Sequence, residues 1–133
     1  NKAIKNVKRQ QGNVSEVHDE LATGIATEVH HIFPKSQFPM IASYYENLIL
    51  LTSSQHRQKA HPKGNTQVVD KDYQLTCLMA KSQTIEVSLN EGDNFYRKES
   101  FVYVVNTGLD EHIEETMSFM DIRKFLVAKY LEF

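Results

Sequence analysis

The positions of the histidines constrain the fold of this chain more than any other feature. Four of the six histidines lie between His30 and His61, and two of these are adjacent at the end of an apolar segment. Successive side chains of a β-strand point to opposite faces. An adjacent pair at a strand end can therefore place one ring on a metal and its neighbour toward a substrate. Because a histidine on a following helix can return to the same metal, the pattern predicts a strand–loop–strand–helix unit with converging imidazole nitrogens.

The residues around these histidines predict the elements of that unit. Ile25–Phe33 favours a first strand, which Pro34 ends because proline cannot donate to the ladder. Glu46–Thr52 favours a second strand, since it contains an uninterrupted apolar run. Ser53–Ala60 favours a helix, with one of its two opening serines as the N-cap.

The flanking segments predict helices and one further strand. A short helix is expected over residues 1–10, and apolar residues at helical spacing predict a long helix over Asp70–Leu89. The aromatic and β-branched residues of Phe95–Asn106 favour a strand. A capping-box-like pattern at Ser118 opens a last helix that runs through Leu131. The expected fold class is α+β.

Length and composition limit the classes of protein that the chain can belong to. At 133 residues, with 41% hydrophobic and 24% charged residues, it has the size and composition of a single globular domain. Cys77 is the sole cysteine, which excludes an intramolecular disulfide framework and a four-cysteine zinc site. A net charge of −2 excludes a strongly basic protein that coats nucleic acid, although it allows a local basic patch.

Location and partners follow from the same composition. Each apolar run falls far short of the ~20 residues that a bilayer span needs, so no membrane partner is expected. A free thiol and the lack of a visible export signal predict a cytoplasmic protein. Residue 1 is asparagine rather than methionine, so we expect a piece of a longer protein. Further domains or a homodimer therefore stay open.

The histidine segment resembles the motif of the HNH nucleases. The residues that carry the resemblance are the run from Glu28 to Ser36, EVHHIFPKS, then Glu46–Thr52, ENLILLT, and then His56. HNH nucleases share the ββα-metal fold and include colicin-type DNases, many homing nucleases and some bacterial restriction endonucleases. Asn47 follows His31 by 16 residues and precedes His56 by nine, and the second of these spacings is the one common in the family.

The resemblance implies an architecture and an activity. It covers about residues 28–64, and it implies a ββα-metal unit embedded in a single HNH nuclease domain that spans 1–133. Residues 65–133 would then be supporting helices and a strand. The implied activity is metal-dependent hydrolysis of DNA. The mild acidity of the chain favours a restriction-type enzyme over a colicin-like DNase, which is usually basic.

The resemblance also implies a role for each matched residue. In the double-histidine version of the motif, His30 is a metal ligand and His31 is the general base that activates water. Asn47 holds the loop so that the base points correctly, and His56 is the metal ligand from the helix. His61 lies five residues further on, where some members have a histidine one residue closer, and it stays open as a third ligand or a phosphate contact. The expected ion is Mg²⁺ or Mn²⁺, with Zn²⁺ or Ni²⁺ as alternatives.

Basic residues within the unit are candidates for phosphate binding, and each is also compatible with a solvated surface side chain. Arg57 is the strongest candidate, because its neighbour His56 must already face the site. The other three are Lys35, Lys59 and Lys63.

Two other functions fit the same residues. One is a non-catalytic nucleic-acid-binding module whose histidines hold a structural zinc. The other is an HNH nuclease that acts on RNA or on single strands. Many family members also carry cysteines at the places of Thr52 and Gln55, so this unit must be held together by packing instead.

Three further residues allow two interpretations each. Glu28 lies two residues before His30 on the same strand face, and it either orients a ligand histidine or is an exposed strand residue. Tyr44 and Tyr45 either stack on bases or anchor the loop between the strands.

Overall fold

The computed structural model describes residues 1–61 and 69–133, so Lys63 lies outside the described residues. Within them it shows a two-stranded antiparallel sheet and five α-helices, which confirms the α+β prediction. In chain order the elements are α1 (Lys2–Gln11), β1 (Glu28–His31), β2 (Leu48–Leu51), α2 (Ser53–Gln55), a π-helical turn (His56–Ala60), α3 (Lys71–Glu91), α4 (Lys98–Leu109) and α5 (Phe119–Tyr130). No described helix combines the length and the apolar character needed to cross a membrane.

The register of the sheet separates the two adjacent histidines. His30 lies opposite Ile49 and His31 lies opposite Leu48 in the antiparallel ladder. Ile49 belongs to the main hydrophobic core, whereas Leu48 packs in a second cluster with α1. Alternation along the strand therefore places His30 on the core face of the sheet and His31 on the face that α1 covers.

The first strand is shorter than Ile25–Phe33, because its neighbours hydrogen-bond outside the ladder. The N–H of Ala26 donates to the carbonyl of Asn13 at 2.9 Å, and the N–H of Ile32 donates to the carbonyl of Asn47 at 2.9 Å. The regular ladder is thus confined to the four residues that include both histidines.

The predicted strand over Phe95–Asn106 is wrong, since this segment contains most of α4. Phe101, Val105 and Leu109 are buried at a spacing of four residues, which matches a helix face. Packing against the core therefore overrides the preference of β-branched and aromatic residues for strands.

The helices predicted over residues 1–10, Asp70–Leu89 and Ser118–Leu131 are confirmed, whereas Ser53–Ala60 divides into a short α-helix and a π-helical turn. Asp70 caps α3 by accepting from the N–H of Tyr73, and α3 ends at Gly92 with a positive φ of 73°. Ser118 caps α5 in the same way by accepting from the N–H of Asp121. These caps can be recognised in the sequence, because each N-cap residue immediately precedes the first residue of its helix.

A buried ion pair joins the segment after α1 to β2 and α3. The Nζ of Lys81 lies 3.1 and 3.2 Å from the two carboxylate oxygens of Glu16 and donates to the hydroxyl of Tyr96 at 2.8 Å. Glu16 also accepts from the N–H of Leu50 at 2.8 Å, while its own N–H donates to the Leu50 carbonyl. Burial lowers the pKa of Lys81, and the Glu16 carboxylate opposes that shift.

We expect Glu16→Gln to destabilise the protein by about 3–5 kcal/mol, because it leaves the Lys81 ammonium buried without a counter-ion. Replacing both groups in Glu16→Gln/Lys81→Met removes the charge and should recover part of that loss. The exposed variant Glu132→Gln serves as the control and should change stability by less than about 1 kcal/mol. Denaturant unfolding of the three variants measures these differences. If Glu16→Gln were as stable as wild type, the Glu16–Lys81 ion pair would not contribute to the stability of the fold.

Candidate metal centre

Three histidine rings from separate parts of the chain meet at one point. His30 lies on β1, His56 begins the π-helical turn, and His61 directly follows that turn. One ring nitrogen of each residue lies within 4.8 Å of those of the other two. The ring centroids are 4.9 to 5.2 Å apart. The structure thus brings together the two predicted ligands and the residue whose role the sequence leaves open.

The π-helical turn explains how His61 reaches the group. In a regular α-helix, residues five apart point about 140° away from each other. Here the N–H of His61 donates to the carbonyl of His56 at 3.2 Å, five residues back instead of four. The wider turn takes up one extra residue, so the two rings return to the same side. It accommodates a spacing that is one residue longer than in some sequences of the HNH family, which this segment resembles.

The chemistry of the three side chains fits a bound divalent cation. The Nε2 of His30 is the one buried side-chain nitrogen or oxygen without a hydrogen-bond partner among the described residues. Buried polar atoms are nearly always paired, and a cation shared by the three rings would supply this partner. Burial, reinforced by the neighbouring histidines, lowers the pKa of His30 well below its usual value. The ring is therefore neutral at neutral pH, as a metal ligand must be.

Glu28 is placed to orient one of these rings. Its carboxylate lies 3.8 Å from the Nδ1 of His56, on the same strand face as His30. Ligand histidines commonly direct their second ring nitrogen toward a carboxylate, which fixes the ring. The contact supports the interpretation of Glu28 as an orienting group. Burial lowers the pKa of His56, and the Glu28 carboxylate opposes that shift.

His31 lies apart from the three rings but lines the same cleft. Its Nε2 is 3.1 Å from the carbonyl oxygen of Ala42. A carbonyl oxygen can only accept, so the ring donates through Nε2, and Nδ1 of the neutral ring keeps its lone pair. The cleft has a volume of about 540 Å³ and is also lined by Lys35 and the three grouped histidines. Burial lowers the pKa of His31, and the carbonyl of Ala42 opposes this.

Asn47 is fully buried and spans the loop between the strands. Its Oδ1 accepts from the N–H of Phe33 at 2.9 Å. Its Nδ2 donates to the carbonyls of Phe33 and Ile41 at 3.1 and 3.3 Å. Both amide hydrogens and one lone pair are thereby used, and the chain after His31 is fixed to the start of β2.

Thr52 and Gln55, at the positions where many HNH proteins have cysteines, form hydrogen bonds. Thr52 and Gln55 form a capping box at the start of α2, so the N-cap is Thr52 and not either of the predicted serines. The Gln55 amide also accepts from the Ser15 hydroxyl at 2.6 Å and donates to the Val17 carbonyl at 2.8 Å. Polar contacts thus fix α2, which leads directly into His56, to the loop before β1. The sequence had predicted that packing alone holds this unit together.

The predicted phosphate contacts differ in how accessible they are. Lys35 and Arg57 are exposed, Lys35 beside the cleft and Arg57 next to His56. Lys59 is paired with the Glu20 carboxylate at 2.6 Å, so it is less available to a phosphate than predicted.

The two tyrosines of the loop pack against the protein. The ring of Tyr45 stacks on Phe95 with a centroid separation of 4.5 Å, and its hydroxyl accepts from Asn6. Tyr44 lies against Tyr103 at 5.4 Å. These contacts support the interpretation that the tyrosines anchor the loop.

Comparison of the chain with protein-family models, with curated proteins and with solved structures finds no match. The site is therefore defined by its own geometry, in which three buried or half-buried histidines form a group that could hold a metal ion.

We expect His30→Ala, His56→Ala and His61→Ala each to lower zinc affinity by more than the 10–100-fold typical of changes outside the ligand set. Pairs of these changes should be less than additive, because the three rings share one ion. Isothermal titration calorimetry measures the affinities, with exposed His112→Ala as the control. Wild-type affinity in His61→Ala would exclude that residue from the ligand set.

We expect Asn47→Asp to destabilise the fold by about 2–3 kcal/mol or more at pH 7, because a carboxylate would face two carbonyl oxygens. Lack of a donor raises the pKa of the new carboxyl in the folded state. The deficit relative to wild type should therefore shrink as the pH falls through that pKa, since the protonated acid can donate again. Denaturant unfolding at several pH values checks both effects, with exposed Asn90→Asp as the control. A deficit that does not depend on pH would contradict this account.

Proposed function

We propose that the chain is an HNH endonuclease that hydrolyses phosphodiester bonds in DNA with the help of a divalent metal ion. The observation that carries the proposal is one cleft that contains both a group of three histidines and a separate fourth histidine, whose Nδ1 has no hydrogen-bond partner among the described residues. The group of three histidines supplies the metal ligands, and the fourth histidine, His31, supplies the general base. We also propose that β1, β2 and α2 with its π-helical turn form the ββα-metal unit, within a restriction-type enzyme.

Each residue of the cleft has a definable part in this reaction. His30, His56 and His61 would hold the ion, which when bound would stabilise charge on the phosphate and on the leaving oxygen. His31 accepts the proton of the attacking water at Nδ1, a contribution of typically ~10²–10⁴-fold to the rate. The hydrogen bond to the Ala42 carbonyl keeps the ring in the tautomer that can do this.

Asn47 is a positioning residue, which acts on the backbone near His31 and does not contact the reacting groups. It holds the backbone directly after His31, so the base keeps its direction toward the cleft. Lys35 and Arg57 are proposed to bind the phosphates on either side of the scissile bond.

The choice of ion depends on the donor set and on supply. Mg²⁺ and Mn²⁺ are expected from their availability in the cell, but three imidazole nitrogens suit Mn²⁺, Zn²⁺ or Ni²⁺ better than Mg²⁺. Plasmid nicking with each of the four ions in turn identifies the one that supports cleavage.

The number of ligands bears on the alternative of a structural zinc. Structural zinc sites usually have four protein ligands, whereas catalytic sites have three and leave one position for water or substrate. Among the described residues the group has three members, which supports the catalytic interpretation. Competition between duplex DNA, single strands and RNA tests the other alternative.

Plasmid nicking tests the proposal directly. We expect metal-dependent cleavage by wild type and a loss of at least ~10²-fold in His31→Ala, because the proton acceptor is gone. Metal and DNA binding should persist in that variant. His112→Ala, an exposed histidine outside the cleft, is the matched control. Unchanged cleavage by His31→Ala, or cleavage by wild type without added metal in the presence of a chelator, would overturn the mechanism.

A further inference from the structure

The exposed side of α1 carries positive charge that the cleft does not use. Lys2, Lys5, Lys8 and Arg9 all lie on this helix, which has no acidic residue. At 100° per residue, Lys2, Lys5 and Arg9 fall within about 60° of one another. None of the four takes part in an ion pair among the described residues, so their charge is not neutralised locally.

The opposite side of α1 packs on the sheet. Ala3 and Val7 are buried with Leu48, and Val29 packs against the same cluster. Val29 and His31 share a face of β1, because they are two residues apart on a strand. α1 therefore covers the sheet face that carries His31, and its positively charged side points away from that face.

We propose that the basic face of α1, formed by Lys2, Lys5, Lys8 and Arg9, is a second phosphate-binding surface that holds the DNA backbone. DNA as the ligand rests on the proposed function. From Lys2 to Arg9 the helix rises about 10 Å. That length covers about three phosphate-to-phosphate spacings of one strand, each roughly 3.4 Å along the duplex axis.

The structure favours DNA over an anionic membrane as the partner of this face. A helix that binds a bilayer surface buries its apolar side in the lipid. Here that side is already occupied, since Val7 is fully buried against the sheet. The protein has a net charge of −2, so attraction of a polyanion depends on this local cluster and not on overall charge.

Binding measured without cleavage tests the inference. Fluorescence anisotropy of a labelled DNA duplex, in chelator and over a series of salt concentrations, gives both affinity and salt dependence. The test variant is Lys5→Gln/Arg9→Gln, in which glutamine preserves helix propensity. The matched control is Lys71→Gln/Lys124→Gln, which removes the same charge from exposed positions on α3 and α5.

We expect the α1 variant to weaken DNA binding about fivefold or more and to reduce the slope of log K against log salt by about 2. The control should keep the wild-type slope. Equal losses in both variants, an unchanged slope in the α1 variant, or no DNA binding by wild type would overturn the inference. Loss of binding to phosphatidylserine vesicles, with DNA binding unchanged, would assign the face to a membrane instead.

The same variants separate this inference from the proposed function. If wild type cleaves DNA but the α1 variant binds it normally, the basic face is not used, and the nuclease proposal stands. If wild type cleaves nothing with any of the four ions but binds DNA through α1, the nuclease proposal fails and the phosphate-binding surface stands.

Discussion

The buried amide of Asn47 is the interaction that fixes the end of the strand that carries His30 and His31. The regular ladder ends at His31, although the N–H of Ile32 still donates to the backbone carbonyl of Asn47. At Phe33 the side-chain amide takes over and contacts both backbone groups of that residue. It also holds the carbonyl of Ile41, next to the residue that binds the His31 ring. An amide is required because the position needs donors and an acceptor together. One buried side chain thus fixes the strand end and the loop that surrounds it.

The second constraint acts on the helical side of the site. Thr52 and Gln55 cap α2 and attach it to the loop before β1, and the π-helical turn then brings His56 and His61 to one side. The three histidines of the candidate metal centre are therefore positioned by two polar networks, one at each end of β2.

Most of the site could be predicted from the sequence because its signals are local. The adjacent pair His30 and His31, the apolar run of β2 and the cap at Asp70 each lie within a few residues of the element that they define. Whether His61 joins the ligands could not be predicted, because its spacing fits only with a π-helical turn. The ion pair between Lys59 and Glu20 could not be predicted either, because these residues are 39 positions apart in the sequence.

The error at α4 has a different physical origin. The segment Phe101–Val105 contains three valines and two aromatic residues, a composition that favours strands. A strand would have placed Tyr103 on the same side as Phe101 and Val105, but Tyr103 is exposed while the other two are buried. The core thus selects the helical spacing, and sequence composition alone carries no information about the surface against which a segment packs.

X-ray absorption spectroscopy of the zinc-loaded protein tests the central claim most directly, because it counts the ligands and identifies their type. The account predicts three imidazole nitrogens at about 2.0–2.1 Å and a position left for solvent oxygen. A shell with four protein ligands would indicate a structural site. A shell of oxygen alone would show that the histidines do not bind the metal, and either result would contradict a catalytic three-histidine centre.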